Sequence, residues 1–420
     1  MKKGDFREEV DKFFKYIYIP TSLLRPIRIL NKEDLKKVYS DPKVAVEILY
    51  LVLSNLSNTY SRISRADLGS RAEQGYKRLN AQILGSQTRV GRVHTYKKAL
   101  ELLVDKGFIE MGLGHSKEEG RSREYRICKK YFNYRISKYK PKEEETLKIL
   151  NRNKKRYIKS SEENILVRYF IDVNQGVTYP SNEEAVEILK EAQKEGFKNR
   201  RGQRLRTRGK KGRGEFKNAI FTEDYLEIYK FHRDCLTVPI VTGERAGGRV
   251  ITPLNMMPRM IRKHVKLDGE NIVELDFSCL HPNIVNTIYG DGKEVFSHEM
   301  VSKELGISRE EAKIEHLSFF NKKWSSMYIS PLFKYYTQAN TSMMEALHRE
   351  KEEFGHRETS KRLFKVETEL MTEIAKEFIK EGIRGFYVFD AMYVKESQKE
   401  EARKIMNRVA EEFSINTKVN

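Results

Sequence analysis

Two apolar segments that each carry an aspartate place the strongest constraint on how this chain can fold. Residues 385–395 have the alternation and length of two strands that meet at Asp390. Residues 272–278 have the pattern of another strand, and Asp276 lies where that strand gives way to a helix begun by Pro282. Because a carboxylate at the tip of an apolar hairpin loses hydration energy, Asp390 predicts a bound cation. Asp276 stands where metal-binding carboxylates are frequent, although a lone aspartate at a strand end is more often a helix cap.

A third segment lies between the two aspartates, at residues 308–322. A capping box opens it, and Arg309, Lys313 and Asn321 recur at multiples of four residues along one slowly turning helical face. Two cations four residues apart could hold a triphosphate. By themselves they are more often the solvated side of a helix, paired with neighbouring glutamates.

Together the three segments resemble motifs A, B and C of the right-hand polymerases, the superfamily of DNA polymerase I and the single-subunit phage-type RNA polymerases. Asp-Phe-Ser-Cys-Leu-His at 276–281 resembles motif A, Arg309-x3-Lys313-x7-Asn321 resembles motif B, and Phe389-Asp390 resembles motif C. Upstream, Gly247-Gly-Arg249 with Asn255 and Pro258 is similar to the segment that contacts the primer-template duplex in the DNA polymerases. The resemblance covers about 170 of the 420 residues.

The resemblance implies nucleotidyl transfer assisted by two metal ions. Such transfer uses two divalent ions about 4 Å apart, and oxygen ligands suit Mg²⁺, with Mn²⁺ as an alternative. Asp276 and Asp390 would bridge both ions, and the backbone carbonyl of Phe277 would complete the second site. Arg309 and Lys313 would neutralise the β and γ phosphates, and Lys313 would also be a proton donor to pyrophosphate.

The same resemblance implies further contacts with the substrates. Ser278, His281 and Asn321 are expected at the incoming nucleotide. Arg249 and Arg262 are expected to grip the template or primer backbone. For His281, a structural hydrogen bond to the hairpin that carries Asp390 is an equally good interpretation.

The sequence also departs from the family pattern. His281 stands where the DNA polymerases have a glutamate, and Asn321 replaces the tyrosine that senses the 2′ position. Phe389 and Ala391 replace the usual histidine and glutamate beside the motif C aspartate. The spacings are short, 33 residues from Asp276 to Arg309 and 77 from Lys313 to Asp390. We therefore expect small fingers, and the choice between deoxyribose and ribose does not carry over.

The order of elements between residues 40 and 140 points to a second unit. Apolar residues keep helical spacing from Val44 to Leu56 and again over residues 95–106, and Gly107 ends the second helix. Residues 108–111 and 124–127 are candidate strands. This order resembles a winged-helix domain over about 90 residues. Arg121 and Arg123, in the loop between the strands, would then contact a duplex. A dimerisation or scaffolding role for the same domain stays open.

Residues 141–245 are polar and read as a helical linker in the place of a thumb. Within them, residues 198–217 hold ten Lys or Arg and four glycines against one acid, Glu215. This composition predicts a flexible loop that contacts phosphates. Its expected nucleic-acid contacts are Arg204, Arg206, Arg208, Lys210 and Lys211.

Composition narrows the partners and the compartment. Eighty Lys and Arg against sixty Asp and Glu give a formal charge of +20, which predicts a polyanionic partner. Three scattered cysteines exclude a disulfide scaffold and a cysteine zinc finger, and fit a reducing compartment. We find no apolar run long enough to span a bilayer and no apolar leader after Met1. The expected partners are DNA, with RNA as an alternative, and nucleoside triphosphates, in the cytoplasm and without a membrane.

The sequence therefore predicts an α+β protein of three parts. Residues 1–140 would form a winged helix, 141–245 a basic helical linker, and 246–420 a right-hand palm and fingers with a small antiparallel sheet covered by helices. The predicted activity is that of a template-directed DNA polymerase from a plasmid, phage or other mobile element. Two alternatives stay open: an RNA polymerase or primase on the same fold, and a winged-helix replication initiator without catalytic activity.

Overall fold

A computed structural model describes residues 3–57, 75–117, 121–131, 135–199, 202–207, 219–234, 238–316 and 318–420. The chain is a mixed α+β structure, 59% helical, with several small sheets. The mixed α+β class is thus confirmed. None of the helices in these ranges is both long and apolar enough to cross a bilayer.

The N-terminal part of the chain has a hydrophobic core of its own, which runs from Ile17 to Ile149. The helix at its centre is buried on nearly all sides, which explains its almost continuous apolar sequence. The elements of this part are α1 (Lys3–Phe13), β1 (Ile17–Pro20), α2 (Thr21–Arg28), α3 (Lys32–Val38), the central helix α4 (Pro42–Ser57), β2 (Lys77–Arg78), α5 (Ala81–Thr88), α6 (Tyr96–Asp105), β3 (Ile109–Met111), β4 (Glu124–Ile127), β5 (Ile136–Tyr139) and α7 (Glu144–Ser161). Phe6 and Val10 of α1 do not belong to this core; they pack in a second hydrophobic core, which the rest of the chain forms.

Two antiparallel sheets accompany these helices. β1 pairs with β5, and a three-stranded sheet has the order β2-β4-β3. The predicted helices α4 and α6 and the predicted hairpin of β3 and β4 are all confirmed. Gly107 ends α6 with a φ of +64°, a conformation that glycine adopts at no steric cost. The loop between β3 and β4 carries Arg121 and Arg123.

The rest of the chain shares the second core. Its elements are α8 (Ile165–Asn174), β6 (Val177–Thr178), α9 (Asn182–Lys194), β7 (Arg204–Arg206), β8 (Ala219–Phe221), α10 (Thr222–Asp234), β9 (Ile240–Val241), β10 (Val250–Ile251), α11 (Pro253–Met256), α12 (Arg259–Arg262), β11 (Lys266–Leu267), β12 (Glu270–Asp276), α13 (Leu280–Tyr289), α14 (His298–Leu305), α15 (Arg309–His316), α16 (Trp324–Met327), α17 (Pro331–Ala339), α18 (Thr341–Glu353), α19 (His356–Lys380), β13 (Gly385–Val388), β14 (Ala391–Lys395) and α20 (Lys399–Glu412).

A five-stranded antiparallel sheet lies at the centre of this core. Its strand order is β13-β14-β12-β11-β6. Val388 pairs with Ala391, so only Phe389 and Asp390 form the turn between β13 and β14. α8 and α20 pack against the sheet, and α19 packs against both of these helices. The two strand segments predicted around Asp390 are therefore confirmed, and they lie in the middle of the core.

The helix predicted over residues 308–322 is shorter than expected. α15 ends at His316, and Asn321 lies in a separate 3₁₀ turn at Phe319–Asn321. The side chain of His316 is buried, and Phe319 and Phe320 are both buried as well. Asn321 therefore does not share a helical face with Arg309 and Lys313.

Helix α20 begins at Lys399, and the side chain of Ser397, just before it, hydrogen-bonds Glu270. In the basic stretch, Arg204 and Arg206 lie on β7, which pairs in parallel with β8. Arg208, Lys210 and Lys211 lie outside the described residues.

Gly247 marks a close approach between the chain and α19. Its φ is +65°, and a Cβ at this position would lie 2.3 Å from the backbone carbonyl carbon of Phe364. Glycine is required here both for the backbone conformation and for the space. This contact fixes the segment that leads to Arg249.

Replacing Gly247 by alanine should destabilise the chain by about 2 kcal/mol or more, because the new methyl group would overlap backbone atoms of α19. Gly243→Ala is the matched control, since Gly243 has a φ of −70° and open space around its Cα. Chemical unfolding of the two variants measures the difference. Equal stabilities would contradict the close approach.

Candidate active site

Asp276 and Asp390 meet at one end of the central sheet. Asp276 is the last residue of β12 and pairs with Ala391, the residue directly after Asp390. Opposed residues of antiparallel strands have Cα atoms about 4.5–5.5 Å apart, so the two aspartates are neighbours. The structure therefore brings together two residues that the sequence predicted to act together. We refer to them as the carboxylate pair.

The carboxylate pair is poorly compensated by its surroundings. Both side chains are half-buried, and Oδ1 of Asp276 is buried with no hydrogen-bond partner among the described residues. Burial and the charge of Asp390 raise the pKa of Asp276 to about 7, although Lys313 opposes this shift. Burial, followed by the charge of Glu367, also raises the pKa of Asp390. An unsatisfied carboxylate oxygen beside a second carboxylate is a donor set that fits a divalent cation.

The backbone around the carboxylate pair is held in uncommon conformations. Phe389, at the hairpin tip, has a φ of +59°, which bulky residues rarely adopt. Such a conformation costs about 1–3 kcal/mol and persists only where the surrounding structure holds it. The Arg249 guanidinium lies 5.6 Å from the centre of the Phe389 ring and is one of the groups that pack around the tip.

The last residues of the chain hold the strand end that carries Asp276. The backbone N–H of Asn420 donates to the Asp276 carbonyl at 3.0 Å, and the Ser278 N–H donates to the Lys418 carbonyl at 2.8 Å. The side chain of Thr417 donates to the Ser278 carbonyl at 2.7 Å. Neither backbone bond uses the carbonyl of Phe277, so both leave open the role predicted for it.

Arg249, His281 and Glu367 form a buried network beside Asp390, which we call the Arg249 network. Arg249 donates to Oε2 of Glu367, and Nε2 of His281 lies 2.7 Å from the same oxygen. The Arg249 guanidinium also stacks over the ring of Phe364 at 3.8 Å from its centre. The hydrogen bond of His281 is thus to α19, not to the hairpin that carries Asp390.

Glu367 is the residue of this network that the sequence analysis missed. Its side chain is 1% exposed. Burial raises its pKa, but the hydrogen bond from His281 and the charge of Arg249 outweigh burial, and the net shift is downward. Glu367 is therefore a fixed negative charge near Asp390. One signal was present in the sequence, because Glu367 falls on the apolar face of α19 between Leu363 and Leu370.

Lys313 and Arg309 lie on the exposed face of α15, one turn apart. Lys313 is close enough to Asp276 that its charge lowers the pKa of that carboxyl group. Arg309 forms an ion pair with Glu299 at the surface, where both side chains are about half exposed. Asn321 accepts a hydrogen bond from the Ser360 hydroxyl at 2.5 Å. Lys313 is thus the member of the predicted phosphate-binding set that the structure places beside the carboxylate pair.

The arginines predicted to bind nucleic acid lie in different environments. Arg262 is buried, donates to the Leu254 carbonyl at 2.8 Å and lies over the ring of Tyr393. Its guanidinium is engaged inside the protein. Arg123 and Arg204 are exposed, whereas Arg121 donates to the Gly114 carbonyl at 3.2 Å within its own loop. The contacts predicted for these residues stay predictions.

Comparison with protein-family models and with curated proteins gave no match to this chain. The assignment of a function therefore depends on the geometry and the chemistry of the site.

In the metal-free chain, the stability that Asp276 contributes should decline as the pH rises from about 4 to about 7. An unfolded aspartate ionises near pH 3.9, whereas the folded Asp276 has a pKa of about 7, so between these values the native state retains a proton that the unfolded state releases. This stabilisation is fully present below the pKa of the unfolded aspartate, and it is lost as the pH rises through the pKa of the folded Asp276. Its size is on the order of 4 kcal/mol.

The unfolding free energy of wild type and Asp276→Asn, measured from pH 4 to pH 8, tests this expectation. The unfolding free energy of wild type, relative to that of Asp276→Asn, should fall as the pH rises from 4 to 7. Asp291→Asn is the control, because Asp291 is an exposed loop residue and should leave the profile unchanged. Parallel profiles for wild type and Asp276→Asn would show that the carboxylate is not perturbed.

Proposed function

We propose that this chain is a template-directed nucleic-acid polymerase that synthesises DNA. The observation that carries the proposal is the carboxylate pair, held by two paired interior strands at one end of an antiparallel sheet, with one oxygen buried and without a partner among the described residues. Lys313, on helix α15, is close enough for its charge to lower the pKa of Asp276. Two adjacent carboxylates and a facing cation are the groups that phosphoryl transfer from a nucleoside triphosphate requires.

Each residue of the site has a defined task in this proposal. Asp276 and Asp390 would hold the divalent cations, together with the carbonyl of Phe277. Mg²⁺ bound there would activate the primer 3′-hydroxyl and stabilise the leaving pyrophosphate. Lys313 would neutralise phosphate charge and donate a proton to pyrophosphate as it leaves. Arg309 would contact the same triphosphate by exchanging its ion pair with Glu299 for the phosphates.

The Arg249 network would position the reacting groups without taking part in proton transfer. Glu367 keeps Arg249 and His281 in fixed orientations beside Asp390, since both bond the same carboxylate oxygen. His281 would line the sugar pocket. With 16% of its side chain exposed, Arg249 would touch the primer-template backbone only at its edge.

The N-terminal elements support a role in binding the duplex. Helix α4, strand β2, helices α5 and α6, and the hairpin of β3 and β4 follow one another in the order of a winged-helix domain. The sheet order β2-β4-β3 also fits that resemblance, because the first strand joins the hairpin at its second strand. We propose that this unit docks the polymerase on its template through the loop that carries Arg123.

Primer extension with Mg²⁺ tests the catalytic proposal. Asp276→Asn and Asp390→Asn should each lower the rate of nucleotide incorporation about 10³-fold or more, equivalent to about 4 kcal/mol of transition-state stabilisation. Asp291→Asn should retain the wild-type rate. The proposal would be contradicted if wild type incorporated no nucleotide, or if Asp276→Asn or Asp390→Asn retained full activity.

The same assay separates the alternatives that the sequence left open. Preferential incorporation of ribonucleotides, or synthesis without a primer, would indicate an RNA polymerase or primase. Metal-independent, sequence-specific duplex binding without any incorporation would indicate a replication initiator.

Duplex binding as a function of salt tests the proposed role of the N-terminal unit. Arg123→Ala should weaken binding and reduce the slope of log K against log salt by about one, as expected for the loss of one phosphate contact. Lys36→Ala is the control, because Lys36 is an exposed cation at the end of α3, away from the loop. An identical slope for the two variants would place the duplex elsewhere.

A further inference from the structure

Cys279, His298 and His316 converge in a cluster that the proposed polymerase chemistry does not use. Their ligand atoms all lie within 4.8 Å of one another. Cys279 precedes the first turn of α13, His298 is the first residue of α14, and His316 is the last residue of α15. Cys279 and His316 are buried, and His298 is half-buried. Three helices thus direct one sulfur and two imidazole nitrogens to one point, which we call the Cys-His cluster.

The spacing of these atoms fits a tetrahedral zinc ion. The Cys279 Sγ lies 3.4 Å from the His298 Nδ1, and that nitrogen lies 3.2 Å from the Nδ1 of His316. Zinc bonds of about 2.3 Å to sulfur and about 2.0–2.1 Å to nitrogen, at tetrahedral angles, place such pairs about 3.6 Å and about 3.3 Å apart. Both observed distances are within a few tenths of an ångström of these values.

Hydrogen bonds do not explain the close approach of the two imidazoles. The His316 Nδ1–H donates to the Ala312 carbonyl at 2.7 Å, and the Cys279 thiol can donate to the His298 Nδ1. The two Nδ1 atoms, 3.2 Å apart, then have no hydrogen bond between them.

The surroundings provide a partner for the outer nitrogen of His316. Its Nε2 lies 2.7 Å from the hydroxyl of Tyr336, and its Nδ1 lies 2.7 Å from the Ala312 carbonyl. A metal on Nδ1 replaces the bond to Ala312 and moves the ring proton to Nε2, which then donates to Tyr336. Such a partner on the outer nitrogen orients a ligating imidazole and increases its basicity.

We propose that Cys279, His298 and His316 bind one Zn²⁺ ion, with water in the fourth position. Binding forms a zinc–sulfur bond and releases the thiol proton of Cys279 to solvent. Cys279 follows Asp276 by three residues, and His316 follows Lys313 by three. The zinc ion therefore ties the helix that carries Lys313 to the strand end that carries Asp276.

Metal binding by the purified full chain tests the proposal in the absence of nucleotide, so its outcome is independent of polymerase activity. After removal of metal by a chelator, wild type should bind one Zn²⁺ per chain. Binding of Co²⁺ should give the thiolate-to-cobalt charge-transfer band of a tetrahedral site. Cys279→Ser and His298→Gln should weaken Zn²⁺ binding more than about 100-fold and abolish that band.

Two control variants separate this site from other metal-binding groups. Cys128→Ser and His348→Gln change a buried cysteine and a histidine outside the cluster, and both should bind Zn²⁺ as wild type does. Circular dichroism of every variant confirms that it is folded. Wild type without stoichiometric Zn²⁺, a cobalt spectrum without the thiolate band, or unchanged binding by folded Cys279→Ser would each overturn the proposal.

Discussion

The pairing register of β12 with β14 is the constraint on which the rest of the candidate site depends. Side chains alternate between the two faces of a strand, so a shift of one residue would turn Asp276 to the opposite face of the sheet and away from Asp390. The register is held on both sides. The two-residue turn at Phe389 and Asp390 fixes β14 against β13, and the chain end at residues 418–420 bonds the backbone of Asp276 and Ser278. The strained turn at Phe389 and the two close carboxylates therefore lie where the strand pairing is fixed by contacts on both sides.

The charges around the carboxylate pair do not balance. Asp276, Asp390, Glu367 and Glu274 carry four negative charges when ionised, whereas Arg249, Lys313 and Arg259 supply three positive charges. Glu367 and Arg249 largely satisfy each other, because they are directly bonded and buried together. Lys313 is exposed and only partly offsets the charge of Asp276. Burial first, and then the charge of neighbouring carboxylates, raises the pKa of both aspartates in the absence of metal. A divalent cation held by the two carboxylates would offset their negative charge, which is the physical basis for the proposed reaction site.

The sequence predicted elements better than it predicted their contacts. The apolar alternation around Asp276 and Asp390 was sufficient to find their strands, and helical spacing with a glycine stop found α4 and α6. The early end of α15 was missed, because the spacing of the buried residues His316, Phe319 and Phe320 also fits one face of a continuous helix. Glu367 could have been recognised as an acid on an apolar face. The Cys-His cluster could not, because its ligands lie 19 and 18 residues apart on separate helices and match no metal-binding spacing.

The Cys-His cluster lies at the end of α15, a helix with few buried side chains to hold it in place. This helix has eight residues, and Ala312 and His316 are its buried side chains. A helix of this length has little stability by itself, and burial of two side chains adds little hydrophobic stabilisation. Yet it carries Lys313, whose distance from Asp276 must stay constant if the two are to act on one triphosphate. One of the two buried residues, His316, is a member of the cluster, and another member, Cys279, follows Asp276 in the chain. A metal ion bound by Cys279 and His316 would connect the segment that carries Asp276 directly to the helix that carries Lys313. It would therefore fix the distance between Lys313 and Asp276 more directly than a larger hydrophobic core would.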